Sequence, residues 1–301
     1  MYKKCCFFIG IVLSIVLCSC DKEEIFSPSK YIEVESKSNA NDVMEVVKRF
    51  TYSEKELTSV WLLGKITLTF EYNSDKTVNR ITTSEKINTY AQMSYKDKRI
   101  TQIQYYEDNK LAREIIFSRK DGGTTINKVE KYVYDGFLAK SALSDLLFPE
   151  TKSLPEQVLK SHKSTDGKSL YSIENVTYEG DNISRVRWYF VYNGQQTLET
   201  ITTYKYDEKK NPYYGLPYAF LELTGYSKNN VVSSVTSYEN GRDKENQKIL
   251  TLSHAYKYDK KYPILNSITE RMSYVTGFDT IAGQQIVNIE TKEYTVQYGY
   301  K

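Results

Sequence analysis

Beyond residue 40, apolar and polar side chains alternate along most of the chain. Runs such as 66–72 (ITLTFEY), 186–192 (VRWYFVY) and 294–300 (YTVQYGY) carry an apolar or aromatic side chain at every second position. A period of two is typical of strands with one face toward a core and the other toward water. Turn formers separate the runs, among them Asn193-Gly194, the strongest type of short hairpin signal. The short connections predict antiparallel pairing of neighbours.

Two stretches interrupt the alternation. Ser141–Lys163 has apolar residues near helical spacing and is cut by Pro149 and Pro155, and Gly215–Tyr226 suggests one helical turn or a compact loop. Both would suit caps over a sheet opening, or irregular crossovers. We therefore predict one all-β domain over residues 41–301: a large curved antiparallel meander sheet or partly closed barrel of β-hairpins, with one or two short helical insertions. A transmembrane barrel is disfavoured, because the polar faces carry Lys, Glu and Arg and the strands look short.

Tyrosine is abundant, with 28 among the 301 residues. Many occur in a degenerate repeat, Tyr-x-Tyr-Asp, at 132–135, 204–207 and 256–259. Two tyrosines spaced by two lie on the same face of a strand and can pack against neighbouring strands, while the Asp can bond to the turn that follows. Most tyrosines are therefore expected to build the sheet.

The segment Tyr204–Asn230 resembles part of a family of uncharacterised Bacteroidetes surface lipoproteins, in which Tyr-x-Tyr-Asp leads into Asn-Pro-aromatic and then Asn-Asn. The matching residues here are Asn211, Pro212, Tyr213, Asn229 and Asn230. The repeat also looks like the tyrosine–aspartate repeats of surface and toxin-shell proteins. The resemblance implies a porin-like curved antiparallel sheet or barrel at the cell surface, and it implies no mechanism.

The first 20 residues (MYKKCCFFIGIVLSIVLCSC) have the features of a lipoprotein signal peptide. Two lysines precede a 13-residue apolar stretch, which is too short to span a membrane. Leu17-Cys18-Ser19-Cys20 matches a lipobox, so we predict a signal peptide over 1–19, lipid attachment at Cys20, and a flexible tether over 20–40. Cleavage removes two of 41 basic residues and no acid, which leaves 39 against 38 and a net charge of +1. This balance gives no indication of nucleic-acid binding.

Asp21, Lys22, Glu23 and Glu24 follow the lipidated cysteine. A lysine followed by acids resembles the surface-export signal of Bacteroidetes lipoproteins, whereas Asp directly after the cysteine would retain a lipoprotein in the inner membrane of enteric bacteria. The rest of the chain favours the first interpretation. The expected location is the outer membrane, with the protein facing the cell exterior.

The sequence contains no pattern of residues that predicts catalysis. The histidines, His162 and His254, are far apart, and cleavage would leave Cys20 as the one thiol. We find no Gly-x-Ser-x-Gly elbow, phosphate-binding loop or calcium loop, and no pair of the 38 acids stands out as a glycosidase pair. We therefore expect no catalytic residues, no metal and no cofactor.

Exposed aromatic rings are the remaining functional candidates, because sugar rings stack on tyrosine and tryptophan. The candidates are Trp61, Trp188, Tyr213, Tyr214 and Tyr218. The expected function is non-enzymatic binding of an extracellular ligand such as a glycan. One alternative is a structural or interaction subunit of an outer-membrane complex, and a glycan hydrolase is a more remote one.

Overall fold

The computed structural model describes residues 32–38, 44–54, 56–62, 66–120, 123–134, 142–148, 167–214, 223–239, 248–260, 262–279, 282 and 284–300. The first half contains strands β1 (Ile32–Ser38), β2 (Met44–Ser53), β3 (Glu56–Leu62), β4 (Ile66–Tyr72), β5 (Val78–Thr83), β6 (Tyr90–Lys96), β7 (Arg99–Glu107), β8 (Lys110–Arg119) and β9 (Ile126–Tyr134), followed by helix α1 (Ala142–Leu147). The second half contains β10 (Lys168–Glu179), β11 (Asn182–Tyr192), β12 (Gln195–Lys210), a 3-10 helix (Leu223–Tyr226), β13 (Asn229–Tyr238), β14 (Lys248–Asp259), β15 (Tyr262–Asp279) and β16 (Gln284–Tyr300).

The strands form one closed antiparallel barrel in chain order, with β1 paired to both β2 and β16. The predicted all-β meander is confirmed. Of the two predicted forms, a curved sheet and a barrel, the structure shows a barrel, and this barrel is closed. Odd-numbered strands run away from the end where the chain enters at Ile32, which we call the proximal end. Even-numbered strands return to it, so the connection β12–β13 lies at the proximal end and β9–β10 lies at the opposite, distal end.

Strand β1 lies within residues 20–40, which the sequence suggested as a tether. Ile32 pairs with Tyr300, Lys37 pairs with Val296, and the Ser38 Oγ accepts a hydrogen bond from the Thr295 backbone N–H at 2.8 Å. The segment 32–38 is short and rich in serine and charge, so its own pattern is weak. Its strand conformation depends on partners that are distant in sequence, at the far end of the chain.

The inner face of β2 to β9 is packed with aliphatic side chains. Val60 and Leu68 are opposite each other, as are Ile103 and Ile115, and all four are almost fully buried. Residues directly opposite on neighbouring strands share a face, so the register identifies this inner face around the whole barrel. The core is therefore concentrated in the first nine strands.

Both helical insertions contribute to this interior. Leu143, Leu147 and Phe148, in and just after α1, are buried, and the Phe148 ring packs edge-on against Tyr105 with the centroids 6.1 Å apart. Tyr226, in the 3-10 helix, packs against the main core and against the smaller cluster around Ile183. The described parts of the two predicted insertions thus pack into the barrel interior, as caps would.

A bulge recurs in each of the seven described hairpins at the proximal end and in the closing pair of β16 with β1. In each case the odd-numbered strand carries one extra residue opposite the end of its even-numbered partner. In three hairpins the hydroxyl of this extra residue, Thr58, Thr101 or Ser184, donates to a carbonyl across the pair. Such bulges increase strand twist, which helps a sheet to curve into a barrel. The even-numbered strands contribute at this position the residues Tyr52, Tyr72, Tyr95, Arg119, Tyr178, Tyr206, Tyr258 and Tyr300, which we call the rim residues.

The rim residues link one hairpin to the one before it. Tyr206 donates through its hydroxyl to the Ile183 carbonyl at 2.7 Å, and Ile183 is the partner of the preceding rim residue, Tyr178. The same relation holds when Tyr72 donates to Leu57 and when Tyr300 donates to Pro263. Arg119 replaces tyrosine in β8 and donates to the Ile100 carbonyl at 2.7 Å. Two copies of the Tyr-x-Tyr-Asp repeat, 204–207 and 256–259, therefore place their second tyrosine in the rim, whereas Tyr132 and Tyr134 of the third copy lie on β9, which ends at the distal end.

Candidate functional site

The inner face of β11 to β16 is built differently from that of β2 to β9. Its aromatic side chains are partly exposed, and polar or charged side chains lie between them. The long strands β14, β15 and β16 carry this face toward the distal end, beyond the short strand β1. The barrel is therefore filled on one side and lined by accessible aromatic rings on the other.

The strand register places three aromatic residues of this wall in one cross-strand row. Each residue of the row is directly opposite the next, and the aromatics lie on alternate strands, β11, β13 and β15. The spacing between alternate strands is about 9–10 Å. We call the set the aromatic row; in order across the strands it contains Trp188, Thr200, Tyr238, Lys248, Tyr274 and Asn288.

Trp188, at the deep end of the aromatic row, is held in place by its neighbours. Its indole N–H donates to the Ser172 Oγ at 2.8 Å. On the same neighbouring strand, β10, Glu174 is directly opposite Trp188, and its carboxylate forms an ion pair with Lys131 at 2.7 Å. These two side chains are mostly buried, so removing either partner would leave an uncompensated charge. The ring of Trp188 is therefore preorganised.

The shallow end of the aromatic row is polar. Tyr274 donates to the Glu290 Oε1 at 2.8 Å, and this contact raises the pKa of the Tyr274 hydroxyl. Lys248 and Asn288 are exposed. These groups supply hydrogen-bond donors and acceptors beside flat rings, the combination with which proteins hold amphipathic ring ligands.

Below the row, His254 extends the aromatic wall toward the proximal end. Its ring stacks on Tyr256 with the centroids 6.0 Å apart and the planes at 9°. The Nδ1 atom lies 3.1 Å from the Asn266 amide nitrogen, so Nδ1 accepts a hydrogen bond. Burial lowers the pKa of His254, so the imidazole is neutral at neutral pH. These contacts give His254 a structural role in the wall.

Tyr294, on the same inner face, carries a cation over its ring. The Lys37 Nζ lies 3.7 Å from the centroid, a distance suited to cation–π attraction. The lysine belongs to β1 and the tyrosine to β16, so the contact crosses the closing seam of the barrel. This seam is part of the candidate site's wall.

The structure separates the residues that the sequence singled out for stacking. Trp188 lies inside the barrel, whereas Trp61 lies on the outer face near Arg49, whose guanidinium is 5.9 Å from its ring. Tyr213 is at the proximal end, where its hydroxyl donates to the Glu35 Oε2 at 3.1 Å, and Tyr214 is its neighbour. Tyr218, like Cys20, Asp21, Lys22, Glu23 and Glu24, lies outside the described residues. The four candidates that the structure describes therefore do not form one site.

The asparagines behind the family resemblance hold the β12–β13 connection together. The Asn211 amide donates to the carbonyls of Thr224 and Ser227 at 2.8 and 3.0 Å. The Asn230 amide donates to the Lys209 and Lys210 carbonyls. Each is nearly buried and satisfied by local backbone, so the motif has a structural role.

Tyr238 and Tyr274 were missed as candidates. Neither belongs to a Tyr-x-Tyr-Asp motif; Tyr238 is the last residue of β13, and Tyr274 lies within the long strand β15. A local signal existed in the alternation of 229–238 and 262–274, but only the register places these rings beside Trp188.

The described residues contain no group of three or more His, Cys, Asp or Glu side chains arranged to hold a metal. They also include no helix with the length and hydropathy needed to cross a membrane.

Comparison with known proteins yields no family. No family model matches the chain, and no curated protein matches it. Among solved structures, a crystal structure titled TcdB2-TccC3-TEV is similar with a TM-score of 0.30 and 9% identity over 84% of this chain. The pore of the Photorhabdus luminescens Tc holotoxin, carrying the TccC3-D651A mutation, has a TM-score of 0.29 and 10% identity over 82% of this chain. The chain spans 14% and 15% of the length of these toxin chains, and the likeness carries no functional inference.

Proposed function

We propose that this protein is a lipoprotein, anchored through Cys20 in the outer membrane and facing the cell exterior, that binds an extracellular glycan without catalysing a reaction on it. The aromatic row is the observation that carries this proposal. Trp188, Tyr238 and Tyr274 offer ring faces at intervals, and Thr200, Lys248 and Asn288 offer polar groups between them. A sugar chain presents the complementary surface, with apolar ring faces and hydroxyls around them.

The direction of the chain supports this arrangement. The barrel begins at Ile32, at the proximal end, so an anchor at Cys20 would place that end toward the membrane. The distal end, where the aromatic row is partly exposed, would then face outward. The lipobox, the residues Asp21 to Glu24 and the resemblance to Bacteroidetes surface lipoproteins support the location.

A glycan-binding screen with residues 21–301, which contain every described strand, tests the function. The two tryptophans form a matched pair, since Trp188 is in the row and Trp61 is on the outer face. We expect Trp188→Phe and Tyr238→Ala to weaken binding of the selected glycan at least about tenfold, or about 1.4 kcal/mol, and Trp61→Phe to leave it unchanged. Isothermal titration calorimetry measures the difference. A screen without any bound glycan, or equal losses in Trp188→Phe and Trp61→Phe, would contradict the proposal.

The location has its own test. Replacing Cys20 with Ala is expected to move the protein from the membrane fraction to the soluble fraction, because the thioether to the lipid can no longer form. Protease added to intact cells is expected to degrade the native protein and to spare a variant with Lys22, Glu23 and Glu24 changed to Ala. Membrane retention of Cys20→Ala would contradict lipid anchoring.

A second candidate function, an interaction subunit in an outer-membrane complex, is favoured by a different surface. The outer face of the later strands exposes aliphatic side chains: Val235 at 38%, Ile249 at 39%, Val287 at 49% and Ile289 at 50%. A patch of this kind on a polar barrel is typical of a protein contact. Pull-down from solubilised membranes with Ile249→Lys as the negative control would identify such a partner.

A further inference from the structure

The distal part of β16 has an open edge among the described residues. The ladder between β1 and β16 extends from Tyr300 to Val296, and the Ser38 hydroxyl binds the next backbone group, Thr295 N–H. From Tyr294 back to Gln284, β16 is paired with β15 on one side, and no described strand pairs with its other side. Within the described part of the chain, this side of β16 therefore presents a row of backbone donors and acceptors to which another strand could pair.

The side chains along this edge are unusual for a solvent-exposed edge of a β-sheet. The run Gln284-Gln285-Ile286-Val287-Asn288-Ile289 contains no charge and no proline. Ile286, Val287 and Ile289 are each about half exposed, at 49%, 49% and 50%. Protein edges that stay unpaired are usually blunted by lysine, proline or a bulge, and an uncharged aliphatic edge attracts another strand.

The aliphatic surface continues inward from the edge on the outer face. Val287 is directly opposite Val275, and Ile289 lies in a row with Ser273 and Ile249. An added strand would therefore extend the sheet and also enlarge this patch. Backbone pairing and side-chain burial would act together, as in strand addition at the edges of other sheets.

We propose that this edge pairs with the same edge of a second copy of the chain, antiparallel, with the two-fold axis at Asn288. In that register Val287 of each copy faces Ile289 of the other on the outer side, twice. Asn288 faces Asn288, Gln285 faces Thr291, and Ile286 faces Glu290, so no like charges are opposite each other. A two-fold contact of this kind is closed and joins two copies only.

Other registers are less complementary. An axis at Glu290 or at Lys292 would place a charge opposite its own copy. An axis at Ile289 would place Val287 opposite Thr291, and an axis at Thr291 would place Ile289 opposite Glu293. The register centred at Asn288 therefore buries the most aliphatic surface against aliphatic surface.

The pairing has a geometric consequence for an anchored protein. Because the two β16 strands are antiparallel, the two barrels have opposite orientations, and their proximal ends point in opposite directions. If each copy is anchored through Cys20 with its proximal end toward its membrane, as proposed above, the two paired copies are anchored in two membranes that face each other. The pairing itself does not depend on the anchor or on glycan binding.

The mass of residues 21–301 in solution tests the pairing. Light scattering after gel filtration at high micromolar concentration is expected to give a dimer. Val287→Lys and Ile289→Glu each place a charge against an aliphatic side chain, so each is expected to weaken the dimer at least about tenfold. The control Val235→Lys adds a lysine to the same outer face away from the edge and is expected to remain dimeric. A monomeric native chain, or equal weakening by Val235→Lys, would overturn the proposal.

Two further variants test the register itself. The double variant Val287→Lys/Ile289→Glu places lysine opposite glutamate twice and is expected to restore the dimer that each single variant loses. Residues 21–301 contain no cysteine, so Asn288→Cys introduces a single thiol that would lie against its own copy. Oxidation is expected to crosslink this variant and to leave Gln285→Cys uncrosslinked. Failure of the charge pair to restore a dimer, together with equal crosslinking of both cysteine variants, would exclude this register.

Discussion

The tyrosines of this protein are mainly structural, and the rim residues explain how. The rim tyrosines are partly buried at the proximal end, and Tyr72, Tyr206 and Tyr300 each donate through the hydroxyl to a carbonyl of the preceding hairpin. Burial raises the pKa of Tyr178 and of Tyr206 to about 12. Tyr258 differs from the others, because its hydroxyl contacts the Asp207 carboxylate and the Asn230 amide in place of a strand carbonyl. The Asp of the repeat therefore has a defined partner in this unit.

Removing one rim hydroxyl should measure the strength of this link. Tyr206→Phe keeps the ring but leaves the Ile183 carbonyl and the Ser227 hydroxyl without their shared partner. We expect the free energy of unfolding to fall by about 1–2 kcal/mol in urea titrations. The control is Tyr189→Phe, a half-buried tyrosine on the outer face of β11, for which a change within about 0.5 kcal/mol is expected. Equal effects of the two variants would contradict a specific role for the rim.

At the scale of the hairpin, the alternation of apolar and polar residues predicted the strands, whereas the turn residues predicted only some of the turns. Asn193-Gly194 forms the predicted tight turn, with positive φ at both residues. Two further turns, Asp97-Lys98 and Asp108-Asn109, have the same geometry without glycine. Asp and Asn tolerate this backbone conformation, whereas Lys98 adopts it because the strands on either side impose it. Such turns carry no strong signal of their own.

The bulges could not be read from the sequence before the pairing was known. The extra residue is a threonine, a serine, an asparagine, a glutamate or an aliphatic residue, so no residue type marks it. What repeats is its place opposite a rim residue. The same reasoning explains the candidate site: Trp188 was singled out, but Tyr238 and Tyr274 join it through strand register, which no local pattern records.

At the scale of the whole molecule, closure depends on β1. This short strand joins β2 to β16, the two ends of the meander, and provides Lys37 to the inner wall. Without it, the strands would form an open sheet with two long free edges. The aromatic row and the core of β2 to β9 would then both be open to water.

Truncation should reveal this dependence. A chain that begins at Met44 lacks β1 and both of its ladders, and we expect it to lose on the order of 5 kcal/mol of unfolding free energy and to aggregate. A chain that begins at Ser29 keeps every described strand and is expected to unfold like the longer chain. Circular dichroism during urea titration compares the two. Equal midpoints would contradict the role of β1 in closure.

The sequence by itself determined the class of fold, the antiparallel hairpin order and the structural role of the paired tyrosines. These follow from alternation and turn residues, which act between neighbours along the chain. Only the tertiary structure decided that the sheet closes, that residues 32–38 form the closing strand, and that Trp188, Tyr238 and Tyr274 share one row. Each of these depends on register between strands or on contact between the two ends of the chain. Such long-range pairing is chosen by the summed free energy of the whole barrel, so no short segment encodes it.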